Sequence, residues 1–305
     1  MFLFNSRKAD IAKREEQAAN VEVVQSPLKQ ALRRFRKNRI AITGVVMLTL
    51  LVLIVVVGPL FMQYNPDTVD LYSINEGPTA EHLLGCDELG RDLLTRLLYG
   101  GRISIAVGLT AALLSIVVGS LVGALAGFYG GIVDNLLMRF TDLVLTIPSL
   151  PLLMVLSVIF KPSPAFLVVM IACLNWTASA RLVRSRFLTL RSLDYVRAAR
   201  ATGEGDLRMI LTHLLPNTLD VIIVTATLAV GNAIIMESTL SFLGCGINPP
   251  TASWGNMLQN AQNTMTIQPF TAIAPGLMIL LTVLAFNFVG DGLDDAIDPK
   301  RDRQG

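Results

Sequence analysis

Residues 194–217, DYVRAARATGEGDLRMILTHLLPN, are polar and basic, although they lie between two runs that are apolar enough to cross a bilayer. Their pattern predicts two short helices, with a bend at Gly203 between them and a stop at Pro216. The second helix carries an apolar stripe at helical spacing, formed by Leu207, Ile210, Leu211 and Leu214. This stripe predicts that the second helix lies back on the membrane domain, which leaves Gly203 as the outermost point.

The composition places the chain in a membrane. Of its 305 residues, 52% are hydrophobic and 16% are charged, whereas about 25% of the residues of a soluble domain are charged. Six apolar runs have the length that a transmembrane helix needs. They are residues 40–62, 103–129, 143–160, 162–180, 219–236 and 270–290. The sequence therefore predicts an all-α fold, a polytopic membrane bundle of six transmembrane helices.

The basic residues predict the orientation of this bundle. Most of the 25 Lys and Arg residues lie in segments that share one side when six spans alternate: residues 1–39, the loop 181–217 and the tail 291–305. Because short cytoplasmic segments are enriched in Lys and Arg, both termini and this loop are predicted to be cytoplasmic. Residues 1–39 then form a cytoplasmic segment that is attracted to anionic lipid rather than to nucleic acid.

On the opposite side, residues 63–102 are predicted to form an extracytoplasmic loop ahead of a five-helix core, residues 103–290. From Glu88 onward this loop has the pattern of an amphipathic helix that lies along the outer interface and leads into the second span. Its polar residues, off the apolar face, are Arg91, Asp92 and Arg96. A second outer loop, residues 241–258, contains Trp254, which is typical of an aromatic residue at the membrane interface.

Small residues recur at every fourth position of the second predicted span. They are Ala111, Ser115, Gly119, Gly123 and Gly127. Such a stripe lets two helices approach closely and pack by van der Waals contact, because lipid offers no hydrophobic drive for their association. We predict that this span is central to the bundle; flexible glycine in a lipid-facing helix is the alternative interpretation.

Three asparagines lie inside predicted spans, Asn175, Asn232 and Asn287, and Glu237 closes the fifth span. Polar groups are costly in a bilayer and call for a physical reason. Hydrogen bonding between helices is the favoured interpretation of the asparagines, and the lining of a substrate path is the alternative. Glu237 is expected to be solvated or to pair with a neighbouring subunit.

Motifs for catalysis, metal binding and nucleotide binding are missing from the sequence. His82 and His213 have no carboxylate or thiolate neighbour at ligand spacing, and the three cysteines show no metal-binding pattern. The cysteines are expected to be unpaired, and a disulfide between Cys86 and Cys245 is the alternative. Since the chain has no GxxxxGK[ST] motif, any ATP is expected to be hydrolysed by a partner.

The segment 194–217 resembles the EAA loop of ABC importer permeases. The resemblance is carried by the pair Ala198 and Ala199, by Gly203, and by the pair Leu215 and Pro216. In that family the loop is a coupling helix that seats in a groove of the ATPase subunit.

Two positions depart from the general family pattern. Arg197 stands where Glu is usual, and His213 stands where an aliphatic residue is usual. A histidine before Leu-Leu-Pro-Asn is similar to the peptide and nickel branch of the family. Residues 127–142, residues 241–258 and the stretch GDGLDDAIDPK near the end of the chain resemble C-type subunits of peptide permeases.

The resemblance implies a type I ABC importer permease fold in a bacterial plasma membrane. It implies as partners a homologous second permease, one or two ABC ATPase subunits, an extracytoplasmic solute-binding protein and the lipid bilayer, with no nucleic acid. No cofactor is expected in this chain, because ATP and Mg are bound by the ATPase subunits. The residues implied to couple to the ATPase are Ala198, Ala199, Arg200, Gly203, Glu204 and Gly205.

The expected function is therefore that of a non-catalytic permease subunit, which forms with the second permease a path for di- or oligopeptides. Nickel, glutathione or another small solute is the alternative cargo. An ion-driven secondary transporter is an alternative of a different class, and it would need buried carboxylates and repeat symmetry, neither of which is evident. A membrane scaffold or intramembrane enzyme is a further alternative, for which no site residues are evident.

Overall fold

The computed structural model describes residues 27–160 and 163–297. The predicted cytoplasmic segment 1–39 and tail 291–305 therefore lie largely outside the described residues. The regular secondary structure of the described part is helical, apart from one isolated antiparallel bridge between Cys86 and Asp92.

Eleven α-helical segments follow one another along the described residues, joined by a 3₁₀ turn and a π-helix. The α-helices are α1 (Pro27–Lys37), α2 (Arg39–Val57), α3 (Leu93–Tyr129), α4 (Gly131–Thr146), α5 (Ser149–Ile159), α6 (Pro164–Arg191), α7 (Asp194–Ala201), α8 (Asp206–Arg208), α9 (Leu219–Phe242), α10 (Trp254–Ala261) and α11 (Phe270–Ile297). The 3₁₀ turn Gly58–Phe61 extends α2, and the π-helix Met209–Leu214 follows α8.

Five of these helices are long and apolar enough to cross a membrane: α2 with its 3₁₀ turn, α3, α6, α9 and α11. They contain the predicted spans 40–62, 103–129, 162–180, 219–236 and 270–290 almost entirely, which confirms the all-α membrane bundle. Four of them extend well beyond the apolar run that predicted them, because polar and small residues at their ends continue the helix without adding hydropathy.

The third predicted span, residues 143–160, is bent at Pro148, as a proline inside a helical run predicts. The structure has α4 and α5 there, and the two meet at an angle of 79°. Ile147 is extended at the junction, and Pro148 caps α5 in an extended conformation. The residue before a proline disfavours the helical region, so Pro148 breaks the chain direction. Counting this bent pair as one span gives six spans in the described residues, and otherwise there are five.

The fourth predicted span also differs, because α6 continues past residue 180 to Arg191. Its extension is stabilised by ion pairs to neighbouring helices. Arg181 donates to Asp142 at 2.6 Å and Arg186 donates to Asp220 at 3.0 Å. The start of the predicted loop 181–217 therefore belongs to α6, and the part that leaves the bundle begins only after Arg191.

The stripe of small residues on α3 lies in the contact with α6, the most extensive contact between two of the described helices. Ser115, Gly119, Gly123 and Gly127 are all buried. A Cβ atom added at Gly123 would lie 3.0 Å from the backbone nitrogen of Arg184, and one at Gly127 would lie 2.5 Å from Cβ of Phe187. The two helix backbones thus meet at a distance that only glycine allows.

The helix predicted to lead from Glu88 into the second span begins later than predicted and is continuous with that span. Helix α3 begins at Leu93, with Asp92 as its N-cap accepting a hydrogen bond from the Thr95 amide at 2.8 Å. Arg91 and Arg96, predicted to lie off the apolar face, are 4% and 1% exposed. Both side chains have protein partners: Arg91 Nε donates to Asp87 at 2.7 Å, and Arg96 donates to the Pro66 carbonyl at 2.9 Å.

Two further predictions for the outer side are wrong. Glu237 is fully buried, and it accepts hydrogen bonds from Ser241 at 2.8 Å and Ser238 at 3.3 Å. Trp254 is also fully buried, with its indole nitrogen donating to the Leu97 carbonyl at 2.9 Å. Both residues are enclosed because the segment after α9 folds back onto α3, where Gly101 leaves room for the indole.

We predict that Gly123→Leu destabilises the bundle, because its side chain has no space between α3 and α6. The expected loss of stability is about 3 kcal/mol, the upper part of the usual range for overpacking. The measurement is the melting temperature of the purified protein in detergent. Gly77→Leu is the matched control, since no atom lies within 4 Å of a Cβ added at Gly77. Equal melting temperatures for the two variants would contradict the packing.

Candidate functional site

The segment 194–217 projects from the end of the bundle as a bent loop. Helix α7 ends at Ala201, and Gly203 follows its C-cap with a φ of +83°, which belongs to the left-handed region. The Gly203 amide donates to the Arg200 carbonyl at 3.1 Å, and the Glu204 amide donates to the Ala199 carbonyl at 3.3 Å. These two bonds form the Schellman motif that ends a helix at glycine. Nothing lies within 4 Å of a Cβ added at Gly203, so the bend is at an open surface.

The loop is anchored to the bundle by three buried side chains, Val196, Met209 and Leu214. They join a hydrophobic cluster built from the ends of α3 and α6, which includes Phe128 and Phe187. The loop therefore rests on the same two helices that form the central contact of the bundle.

The apolar stripe predicted after the bend is only partly correct. Leu214 is buried, but Leu207 and Leu211 are 70% and 53% exposed, and Met209 takes the inner position instead. The reason is the π-helix, in which the Leu215 amide donates to the Ile210 carbonyl at 2.8 Å. A π-helix places residues five apart on one face, so Met209 and Leu214 point inward together.

A polar contact joins the two arms of the loop. His213 Nε2 lies 2.7 Å from Glu204, and Arg208 lies 3.2 Å from the other oxygen of the same carboxylate. The Asn217 side chain donates to the His213 carbonyl at 2.7 Å. His213 is the residue that departs from the general family pattern. Its contact with Glu204 connects the bend to the second arm of the loop.

A basic recess of about 600 Å³ lies beside this loop, between the end of α3 and the start of α7. It is lined by Arg191, Arg197 and Arg200, with Phe128 at its base. Arg191 donates to the Phe128 carbonyl at 2.8 Å, and the Arg200 guanidinium lies 5.6 Å from the Phe128 ring centre.

The six residues that sequence reasoning assigned to coupling all lie on the loop. Ala198, Arg200, Gly203 and Gly205 are exposed, and Ala199 and Glu204 are half-buried. The loop thus offers a free convex surface with a positively charged flank.

A groove of about 560 Å³ lies deeper in the bundle, between α3, α6 and α9. Asn175 and Asn232 both line it, together with Ser115 and Thr225. Asn287 does not line this groove; it lies on α11, 3.5 Å from a Cβ added at Gly231 of α9. The structure therefore brings two of the three asparagines to one groove and separates the third.

Sequence reasoning missed a cluster in the outer loop. His82 Nδ1 lies 2.9 Å from Asp92, and Glu76, His82 and Cys86 offer ligand atoms within 4.8 Å of one another. The statement that His82 lacks such neighbours is therefore wrong, because turns rather than regular spacing bring these residues together. Burial, together with the charges of nearby carboxylates, raises the pKa of Cys86 to about 12. Cys86 and Cys245 are free, so the alternative of a disulfide is not found.

Comparison with known proteins assigns this chain to a family. Residues 119–303 match the family described as the binding-protein-dependent transport system inner membrane component. Residues 26–78 match the N-terminal transmembrane domain of oligopeptide transport permease C. The chain belongs to the ABC importer permeases of this peptide transport family, as a C-type subunit.

Relatives along nearly the full chain agree with this assignment. The chain is 42% identical over 276 residues to a Brucella ovis protein named as a peptide permease, covering 90% of this chain and 91% of the relative. It is 39% identical to the dipeptide transport system permease protein of Alkalihalophilus pseudofirmus, covering 90% of each. It is 40% identical to the glutathione transport system permease protein of Pectobacterium atrosepticum, covering 91% of this chain and 92% of the relative.

Membership fixes the coarse properties of this permease. It is an integral protein of the inner membrane, and its family consists of transport subunits that work with a second permease, ATPases and a binding protein.

We predict that Leu214→Ala loosens the loop, whereas Leu211→Ala does not. Replacing the buried Leu214 side chain with alanine leaves a cavity, and the expected loss of stability is about 2–5 kcal/mol. The exposed Leu211 contributes less than about 0.5 kcal/mol. Hydrogen exchange of the amides of residues 194–217 in the purified protein measures the difference. Faster exchange in Leu211→Ala than in Leu214→Ala would contradict the π-helical register.

Proposed function

We propose that this permease is the C-type subunit of an ATP-driven importer of di- or oligopeptides. It forms the translocation path together with a homologous second permease, and it couples to the ATPase subunits through residues 194–217. The observation that carries the proposal is the loop itself, which is free on its outer surface and anchored to the bundle by Val196, Met209 and Leu214.

The proposed coupling requires a loop that moves as a rigid body. The Schellman motif at Gly203 fixes one arm, the contact between Glu204 and His213 joins the arms, and the buried cluster ties both to α3 and α6. When ATP closes the ATPase pair, the groove that holds Ala198 to Gly205 moves, and the loop carries that displacement to the helix ends. The ATPase must bind the loop differently in its nucleotide states, since only differential binding shifts the equilibrium of the spans.

The proposed path follows the groove between α3, α6 and α9. Asn175 and Asn232 present amide groups in a setting that is otherwise mostly apolar. Amides both donate and accept hydrogen bonds, which matches the backbone of a peptide in either direction. A groove on the side of one subunit becomes a closed path when the homologous permease covers it. Asn287 is proposed instead to hydrogen-bond within the bundle, near α9.

The remaining parts of the proposal follow from family membership and charge. Both termini and residues 194–217 face the cytoplasm, where one or two ATPase subunits bind ATP and Mg, and this chain holds no cofactor. Residues 63–102 face the solute-binding protein. Glutathione is a second candidate cargo, because one close relative is named as a glutathione permease.

We predict that Gly203→Leu leaves membrane insertion intact but abolishes substrate-stimulated ATP hydrolysis by the complex. A leucine in the left-handed conformation costs about 1–2 kcal/mol, and its side chain projects from the surface that the ATPase contacts. The measurement is ATPase activity in proteoliposomes with the partner subunits and the binding protein, loaded in turn with dipeptide, oligopeptide or glutathione.

Val46→Ala, at an exposed position of α2 outside both loops, is the control and is expected to retain stimulation. Stimulation by peptide but not by glutathione supports the peptide proposal, and the reverse result replaces it. Normal stimulation of Gly203→Leu would contradict the coupling role of the bend.

A further inference from the structure

The outer loop between α2 and α3 contains a cluster of three residues with the chemistry of metal ligands. Glu76, His82 and Cys86 contribute a carboxylate, an imidazole and a thiol, whose ligand atoms lie within 4.8 Å of one another. Cys86 is fully buried, His82 is 8% exposed, and Glu76 is exposed. The cluster therefore has two buried ligands and one exposed ligand, through which an ion from solvent has access.

Backbone hydrogen bonds hold the three residues in place. The Cys86 amide donates to the Glu76 carbonyl at 2.9 Å, and the Gln268 side chain donates to the same carbonyl at 3.0 Å. A tight turn connects His82 to Cys86, because Gly85 has a φ of +82° and its amide donates to the His82 carbonyl at 2.9 Å. The ligand atoms are thus brought together by the fold of the loop rather than by chance orientation of long side chains.

Asp92 orients the imidazole in the way that a metal site requires. Its Oδ2 accepts hydrogen bonds from the Thr95 amide at 2.8 Å and the Thr95 hydroxyl at 2.6 Å. Its Oδ1 lies 2.9 Å from His82 Nδ1, and in the tautomer that donates this hydrogen bond the ring proton is on Nδ1. This leaves a lone pair on Nε2, which makes no hydrogen bond within the described residues. Histidines that bind metals usually donate their other ring nitrogen to a carboxylate in this way.

We propose that Glu76, His82 and Cys86 bind one divalent ion of the zinc class, with solvent at the fourth position. A thiolate, an imidazole and a carboxylate are the ligand types that Zn²⁺ takes, and the mixture excludes the hard ions Ca²⁺ and Mg²⁺. The Cys86 thiol gives up its proton to solvent as the metal–sulfur bond forms. The bound ion would clamp the outer loop, since Glu76 is also tied to Gln268 just before α11.

The test uses the full-length chain, purified in nanodiscs, stripped with chelator and titrated with Zn²⁺. We expect one zinc per chain and a rise in melting temperature that chelator reverses. Substitution of Co²⁺ for Zn²⁺ should give a thiolate-to-cobalt charge-transfer band. Cys86→Ser should lose the band and the tight binding, whereas the matched control Cys245→Ser should retain both. Absence of stoichiometric zinc, or equal binding by Cys86→Ser, would overturn the proposal.

Two further variants keep the proposal testable if Cys86→Ser does not fold. Glu76→Gln alters an exposed side chain and should weaken zinc binding at least about tenfold. Asp92→Asn retains an N-cap residue, since Asn caps a helix as well as Asp does. The substitution removes the carboxylate that contacts His82 Nδ1, and the expected loss of zinc affinity is about 10- to 100-fold. Unchanged zinc affinity in both variants would overturn the assignment of these ligands.

Discussion

The close contact between α3 and α6 is the interaction on which the rest of this permease depends. In lipid, helices gain nothing from hiding apolar surface, so they associate where their backbones can approach closely. Gly119, Gly123 and Gly127 provide that approach along one face of α3. The same two helices line the groove near Ser115 and Asn175, and their far ends seat the 194–217 loop. One rigid pair of helices therefore connects the proposed motor contact to the proposed path.

The half of the bundle opposite the 194–217 loop is stabilised by a different means. Buried polar residues there are satisfied by one another and by the backbone: Glu237 by serines, Trp254 by the Leu97 carbonyl, and Arg91 by Asp87. Such groups are costly when left unpaired, so they fix one arrangement of the outer loops. A stable outer surface suits a subunit that is proposed to receive a binding protein on this side while its opposite end moves.

The sequence predicts those features that depend on local pattern. Hydropathy finds five spans, the four-residue repeat finds the central helix, and Gly203 with Pro216 marks the loop. Features that depend on contacts distant in sequence are missed. A 3.6-residue repeat, for example, cannot reveal the π-helix that buries Met209. The burial of Glu237 and Trp254, and the neighbours of His82, follow from loops that fold back, which no periodicity records.

The central claim is that residues 194–217 transmit the motion of the ATPase subunits to the bundle. A photoreactive amino acid at position 202, beside the exposed bend, tests it most directly in the assembled transporter in a membrane. The account predicts cross-links from this position to an ATPase subunit, with a yield that changes between the nucleotide-free and ATP-bound states. Cross-links only to lipid or to the solute-binding protein, or a yield to the ATPase that is the same in both states, would contradict it.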